Sequence, residues 1–184
     1  MMYIEGRDES MLAESADFVR FYCRTRPSVL DSARRMCGHD HHLAEEVTQQ
    51  AFFEIYRSWA VRQFRPDEYN RRYVVRIMAN KLADHYRDTR RLAPWENDSA
   101  PSWIDPEPNE PMPEYRLLRQ LIDEQPPRRR AVVVLYFLED FDYQEIARTL
   151  RMEASTVRTH VQRARAALLP YAEQLRQAMK EGRA

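Results

Sequence analysis

The sequence predicts an all-α fold of two small helical domains joined by a flexible, acidic, proline-rich linker. Three observations carry this reading. Glycine occurs only three times in 184 residues, at positions 6, 38 and 182. About 13 would follow from an average usage of roughly 7%, and hairpin-rich folds need glycine in their turns. Five of the eleven prolines fall between 101 and 113. On either side of that cluster, apolar residues recur at helical spacing.

Leu12, Ala16, Val19 and Cys23 recur at near-helical period over 11–25, which predicts a helix with Cys23 in the core. Pro27 stands where the first residue of a second helix would, running to Cys37, with Gly38 ending it. The following GHDHH reads as a short loop. Cys37, His39, His41 and His42 are metal-ligand types, but neighbours in so short a loop rarely close a tetrahedron, so no metal is assigned. Leu43, Val47, Ala51 and Ile55 predict a helix over 43–61. Pro66 and Asp67 mark a break, and Val74, Ile77, Met78 and Leu82 form the stripe of a helix over 69–90.

From Leu92 to Pro113 the periodicity vanishes. Proline removes amide donors and restricts its predecessors, so this stretch reads as an extended linker, with Trp95 and Trp103 expected to pack on a neighbouring domain. Helices follow at 114–124, 126–138, 142–150 and 154–169. Pro126 and Pro127 open the second of these, Asp142 with Glu145 forms a capping box for the third, and Pro170 is expected to end or kink the last. The domains are therefore 1–91 and 114–184, with 92–113 between them.

The charge balance excludes several function classes. Lys and Arg total 29, as do Asp and Glu, so net charge is silent on nucleic acid. Its distribution is not. Residues 1–91 hold 16 basic and 14 acidic side chains, 92–113 hold none and five, and 114–184 hold 13 and ten. No glycine-rich phosphate loop exists. No nucleophile triad or carboxylate pair stands out, so neither enzymatic activity nor a cofactor is expected. Cys23 and Cys37 do not make a disulfide framework. The longest apolar run, Ala131 to Leu138, is eight residues and too short to span a bilayer, and the N-terminus lacks a signal-peptide core. A soluble, cytoplasmic protein without membrane contact is expected.

The most specific motif lies between Asp142 and Leu169. Ala147 supplies the small residue a helix-turn-helix needs where its helices cross. Ile146, Leu150, Val157 and Val161 supply the apolar residues that hold the angle. On the second helix Val157, Val161, Ala164 and Leu168 face inward, leaving Arg158, Thr159, Gln162, Arg163 and Arg165 outward, with His160 in the first turns. Arg and Gln can contact guanine and adenine edges, and Arg also grips phosphate. Five Arg and one acid between 148 and 165 are unusual for a surface helix face. Arg151 sits in the turn, where glycine would be cheaper if φ is positive.

Two further blocks discriminate among helix-turn-helix proteins. Residues 44–52, AEEVTQQAF, and residues 73–87, YVVRIMANKLADHYR, precede the linker. With the region ending in TVRTHVQRARA, they resemble, in order, regions 2.2, 2.4 and 4 of the extracytoplasmic-function (group 4) sigma factors of the bacterial sigma-70 family. The resemblance covers about 11–169. It implies that the chain binds core RNA polymerase at its clamp coiled coil and flap, reads a −35 element with region 4, and reads and melts a −10 element with region 2. Its DNA partner would be both duplex and single-stranded, and an anti-sigma factor is a further partner the resemblance admits. A helix-turn-helix regulator acting without polymerase is the alternative that the first-half blocks argue against.

Glu45, Glu46, Gln49 and Gln50 would form an acidic, amide-rich stripe for the clamp, with Glu46 where the family usually has Asp and Gln50 where it often has Glu. Between Arg57 and Arg91 ten basic residues are interleaved with Trp59, Phe64, Tyr69, Tyr73 and Tyr86. Aromatic faces stack on exposed bases at about 1–3 kcal/mol each, which a flipped base needs to recover its lost stacking. Trp59 is expected in the core, and Phe64, before Pro66, is the exposed stacking residue. Asn80 stands at the family's Asn, where its amide meets a base edge, and Arg76 and Lys81 are expected at the DNA backbone. Fifteen residues after Leu169 leave no expected regulatory domain, so control would come from a partner, from synthesis or from proteolysis.

Overall fold

The computed structural model describes residues 5–38, 40–89 and 122–181. Among these the chain forms seven helices and no strand: α1 (Glu5–Cys37), α2 (His41–Tyr56), α3 (Trp59–Arg62), α4 (Asp67–Thr89), α5 (Pro127–Phe137), α6 (Tyr143–Leu150) and α7 (Ala154–Glu181). His39, the linker with Trp95 and Trp103, and most of the helix expected at 114–124 lie outside the described residues.

Helix α1 corrects two expectations. It runs unbroken through Pro27 rather than restarting there. Proline deprives only one carbonyl, that of Cys23, of its helical donor. Pro27 and Cys23 are both exposed, so water can satisfy it. Cys23 is accordingly not a core residue. The stripe of Ala16, Val19 and Cys23 faces solvent, with Val19 at 52% exposure. The buried face is Phe21, Thr25, Val29, Ser32, Ala33 and Met36. Phe21 stacks on Trp59 at 4.9 Å, and Phe18 meets the same ring edge-on at 5.3 Å. Such pairs are worth about 0.5–1.5 kcal/mol beyond burial, so the aromatic face goes in. Gly38 does end α1, at φ +68°, and its amide donates to the Arg34 carbonyl at 2.8 Å. A β-carbon there would meet the buried Arg130 guanidinium, so glycine is required twice over.

Asp40 caps α2, its side chain accepting from the Leu43 amide at 2.8 Å. The helix ends at Tyr56, short of the expected 61. The Ser58 amide and hydroxyl both donate to the Ile55 carbonyl, at 3.0 and 3.1 Å, and this turn swings Trp59 inward to 5% exposure. At the other end α7 continues through Pro170 to Glu181 instead of stopping. The carbonyl deprived there belongs to Ala166, which is exposed.

The Asp142–Glu145 capping box forms as expected, with bonds of 2.8 and 2.9 Å. Arg151 does occupy the left-handed region, φ 50°, ψ 56°, at a cost of about 1 kcal/mol for a residue with a β-carbon.

The two halves are packed against each other: α1 contacts α5, and α4 contacts α6. Apolar side chains of both halves belong to one buried cluster. A polar seam runs beside it. Glu139, whose side chain is 2% exposed, lies 3.0 Å from Arg71 and accepts from the Ser32 hydroxyl. Arg72 donates to the carbonyls of Glu139 and Asp140, at 3.0 and 3.1 Å, and to Glu145 at 2.7 Å, while lying 4.2 Å from the Phe141 ring.

Candidate nucleic-acid interface

The α6–turn–α7 unit builds its face from the inside. Ile146, Val157, Val161 and Ala164 are buried, and Ala147 and Leu150 nearly so. On the same helix Arg158, Thr159, Gln162, Arg163 and Arg165 are exposed, while the side chain of Leu168, expected to face inward, lies outside the described residues. Two of the arginines are braced by aromatic rings. Tyr136 and Tyr143 stack at 5.2 Å, Arg165 donates to the Tyr136 hydroxyl at 3.0 Å, and Arg158 lies 5.9 Å from the Tyr143 ring. Bracing limits the rotamers these long side chains lose on binding.

His160 departs from that exposed set. It is half-buried, and its Nδ1 is enclosed without a hydrogen-bond partner. Burial first, then the charges of Arg129, Arg163 and Arg128, hold its pKa below the usual histidine value.

In the first half, Phe64 is 82% exposed on the loop between α3 and α4. A residue that sequence reasoning missed holds that loop. Asn70, fully buried, donates from its amide to the carbonyls of Arg62 at 3.1 Å and Arg65 at 3.4 Å, on either side of Phe64. Its own backbone amide takes the Pro66 carbonyl at 3.1 Å. One asparagine near a helix start carries no sequence signal for this; only the buried amide reveals it.

Of the interleaved aromatics, Tyr69 is also exposed, with Arg65 5.5 Å from its ring. Tyr73 is half-buried, with Arg62 3.4 Å and Arg76 5.0 Å from its ring centre. Tyr86 is half-buried as well. A groove of about 480 Å³ brings Asn80 and Lys81 together with Arg57, Tyr73, Ile77 and, from the other half, Arg151. Phe64 and Arg76 do not line it. Lys81 pairs with Glu54 at 3.6 Å, and Arg151 with Asp84 at 3.0 Å.

On α2 the expected polar stripe loses one member. Glu45 turns toward α1, where it binds Arg26 at 2.8 Å and Arg34 at 3.7 Å. Glu46, Gln49 and Gln50 stay exposed, with Gln50 donating to Glu46 at 3.0 Å. Phe53, 62% exposed one turn beyond Gln49, and Tyr56 at 49% add apolar surface on the exposed side of the same helix. Their spacing from Gln49 was the available signal.

Among the described residues no three ligand-type side chains gather to hold a metal. Burial, then Asp40, pushes the Cys37 thiol up to about 12, which leaves it protonated and unreactive. Among the described residues no helix is long and apolar enough to cross a membrane.

The site is thus a helix-turn-helix whose second helix carries exposed Arg158, Arg163 and Arg165, joined to a second helical half bearing exposed Phe64, Tyr69 and Arg76. The Sigma-70 region 2 family matches residues 21–92, and the Sigma-70, region 4 family matches residues 115–168. The chain is 34% identical over 146 residues to the ECF RNA polymerase sigma factor SigE of Mycolicibacterium smegmatis, covering 76% of this chain and 55% of that protein. It is 30% identical over 148 residues to the RNA polymerase sigma-E factor of Streptomyces coelicolor, covering 80% and 81%. The chain spans about half the length of several curated relatives it matches, among them SigE and the SigI proteins of Mycobacterium tuberculosis, at 55% and 50%. A co-crystal structure of the sigma factor RpoE with the anti-sigma factor NepR from Bartonella quintana matches with a TM-score of 0.60 and 16% identity, over 85% of this chain and 97% of that one, a likeness of fold. The chain belongs to the sigma-70 family, in its extracytoplasmic-function branch.

Proposed function

We propose that the chain is a promoter-specificity subunit. It binds core RNA polymerase in the cytoplasm, reads a −35 element with α7, and reads and opens a −10 element with α4 and the Phe64 loop. It carries out no covalent chemistry of its own. The observation that carries this reading is the outer face of α7: Arg158, Thr159, Gln162, Arg163 and Arg165 are all exposed on the second helix of the motif. Arg and Gln there suit base edges in the major groove.

The first half supports the opening role. Phe64 offers a free ring on a tied-down loop, and the Asn80 amide lies in a groove of a size to receive a base. Glu46, Gln49 and Gln50 are the polymerase-facing residues on α2, with Phe53 and Tyr56 adding apolar contact. An anti-sigma partner belongs to the same proposal, since the solved protein of similar fold was crystallised with one.

The test is reconstitution. The purified chain should co-elute with core polymerase and support run-off transcription with start sites at defined positions. Duplex binding without co-elution would instead identify a regulator acting without polymerase.

A further inference from the structure

We propose that Tyr136 and Tyr143 are positioning residues for −35 reading: their stacked rings hold Arg165 and Arg158 in place before DNA arrives. The proposal rests on α7 being the helix that enters the groove. Tyr136 belongs to α5, outside the helix-turn-helix, so neither the motif nor the family blocks assign it a part.

Arg158 and Arg165 stand two turns apart on α7 and share one flank of the helix. Both side chains are long and exposed, and helix geometry alone does not fix their rotamers. The fixing comes from the side. Tyr136, in the last turn of α5, and Tyr143, the first residue of α6, lie nearly parallel, with 7° between their ring planes and 5.2 Å between their centres. Phe137 meets Tyr136 edge-on at 4.9 Å. Both tyrosines are partly buried against the apolar core, which restrains their rings. The Asp142–Glu145 capping box anchors the start of α6, and with it the backbone of Tyr143.

Arg165 makes the tighter contact. It donates to the Tyr136 hydroxyl at 3.0 Å, with its guanidinium carbon 5.5 Å from that ring and 5.9 Å from the Phe137 ring. Arg158 lies 5.9 Å from the Tyr143 ring centre, within reach of a cation–π contact. Uncharged braces suit this face. Between the packed helices, Arg71 and Arg72 end on the carboxylates of Glu139 and Glu145. A carboxylate beside Arg158 or Arg165 would repel DNA and compete for the same donors. A ring and a hydroxyl restrain the guanidinium and leave most of its N–H groups free. A bidentate contact to a base edge tolerates little error in the guanidinium plane, and ordering a free arginine on binding costs entropy. The two tyrosines should therefore fail as their arginines do: Tyr136 through Arg165, on every sequence, and Tyr143 through Arg158, at one base position.

The experiment uses full-length chain reconstituted with core polymerase, and duplexes retained by it from a random pool. Binding is measured over single-base variants of the −35 element. Tyr136→Phe removes only the hydroxyl. It should weaken every variant about fivefold, and add no loss in an Arg165→Ala background. Tyr143→Leu removes a ring. It should shrink the base preference set by Arg158 about threefold, and add no loss in an Arg158→Ala background. Tyr143→Phe keeps the ring and should keep the preference. Rings that only pack α5 on α6 would give losses of the same size with or without the arginines. That result overturns the proposal, as does unchanged affinity in Tyr136→Phe. Should Tyr143→Leu lose its helical spectrum, Tyr136→Phe decides alone. The single arginine variants separate this from the parent reading. If they weaken binding and the tyrosine variants do not, only the positioning role has failed; if they leave binding unchanged, the assignment of α7 has failed too.

Discussion

The Arg71 guanidinium and the Glu139 carboxylate meet at 3.0 Å across the boundary between the two halves of the chain. Glu139 has only 2% of its side chain exposed, and Arg71 23%. Removing one partner of a buried pair strands the other charge, which costs about 3–5 kcal/mol. Arg71→Ala should therefore lower stability by about 3 kcal/mol in denaturant titration. Glu139→Gln should restore most of it in the double variant, because the amide keeps the Ser32 bond without a charge. Additive losses would show that the pair does not couple the halves.

The loop carrying Phe64 depends on the amide donors of Asn70. Asn70→Asp keeps the shape and replaces donors with acceptors that face two carbonyls. Closed-complex affinity should stay near wild type, while promoter opening, read by permanganate reactivity of −10 thymines, slows about tenfold. Phe64→Ala should slow it similarly. Wild-type opening in both would remove the loop from the melting step.

For core polymerase, Glu46→Arg reverses charge on an exposed side chain that, among the described residues, accepts a hydrogen bond from Gln50 alone. It should leave the helical spectrum intact and weaken polymerase affinity by about tenfold. Glu45→Gln should instead lower stability, by about 1 kcal/mol for a partly exposed pair, with little change in affinity. The reverse pattern would place Glu45 in the interface.

Within α7, Arg158 and Arg165 should fail differently. Arg158→Ala should cost about 1–3 kcal/mol and relax one −35 position. Arg165→Ala should weaken all sequences alike and reduce the salt slope by about one. Binding to single-base −35 variants at two salt concentrations separates them; equal loss across variants for Arg158→Ala would mean another register in the groove.

His160 supplies a pH dependence. In the folded chain its pKa lies below 6.5 because of burial and then Arg129, Arg163 and Arg128, the cations facing it from α5 and α7. The unfolded chain therefore binds more protons as pH falls below about 6.5, so this contribution to stability is present above that pH and lost below it. His160→Gln should flatten the fall in denaturation midpoint between about pH 7 and 5. An unchanged slope would place the proton uptake elsewhere.

Local rules were enough to read much of this protein from its residues. Apolar spacing located α2 and α4, the Asp142–Glu145 box followed from side-chain chemistry, and the outer residues of α7 followed from its inner ones. These depend on neighbours within a turn or two. Tertiary structure decided what such spacing leaves open. Two faces of α1 were helically plausible, and the one with Phe18 and Phe21 went inside because Trp59 meets it. Pro27 and Pro170 did not break their helices, because the carbonyls they deprive face water. Glu45 turned inward to Arg26, Asn70 turned into the Phe64 loop, and Glu139 met Arg71 from 68 residues away. Such pairings are set by how helices cross, and charge carries no period that would announce its partner in advance.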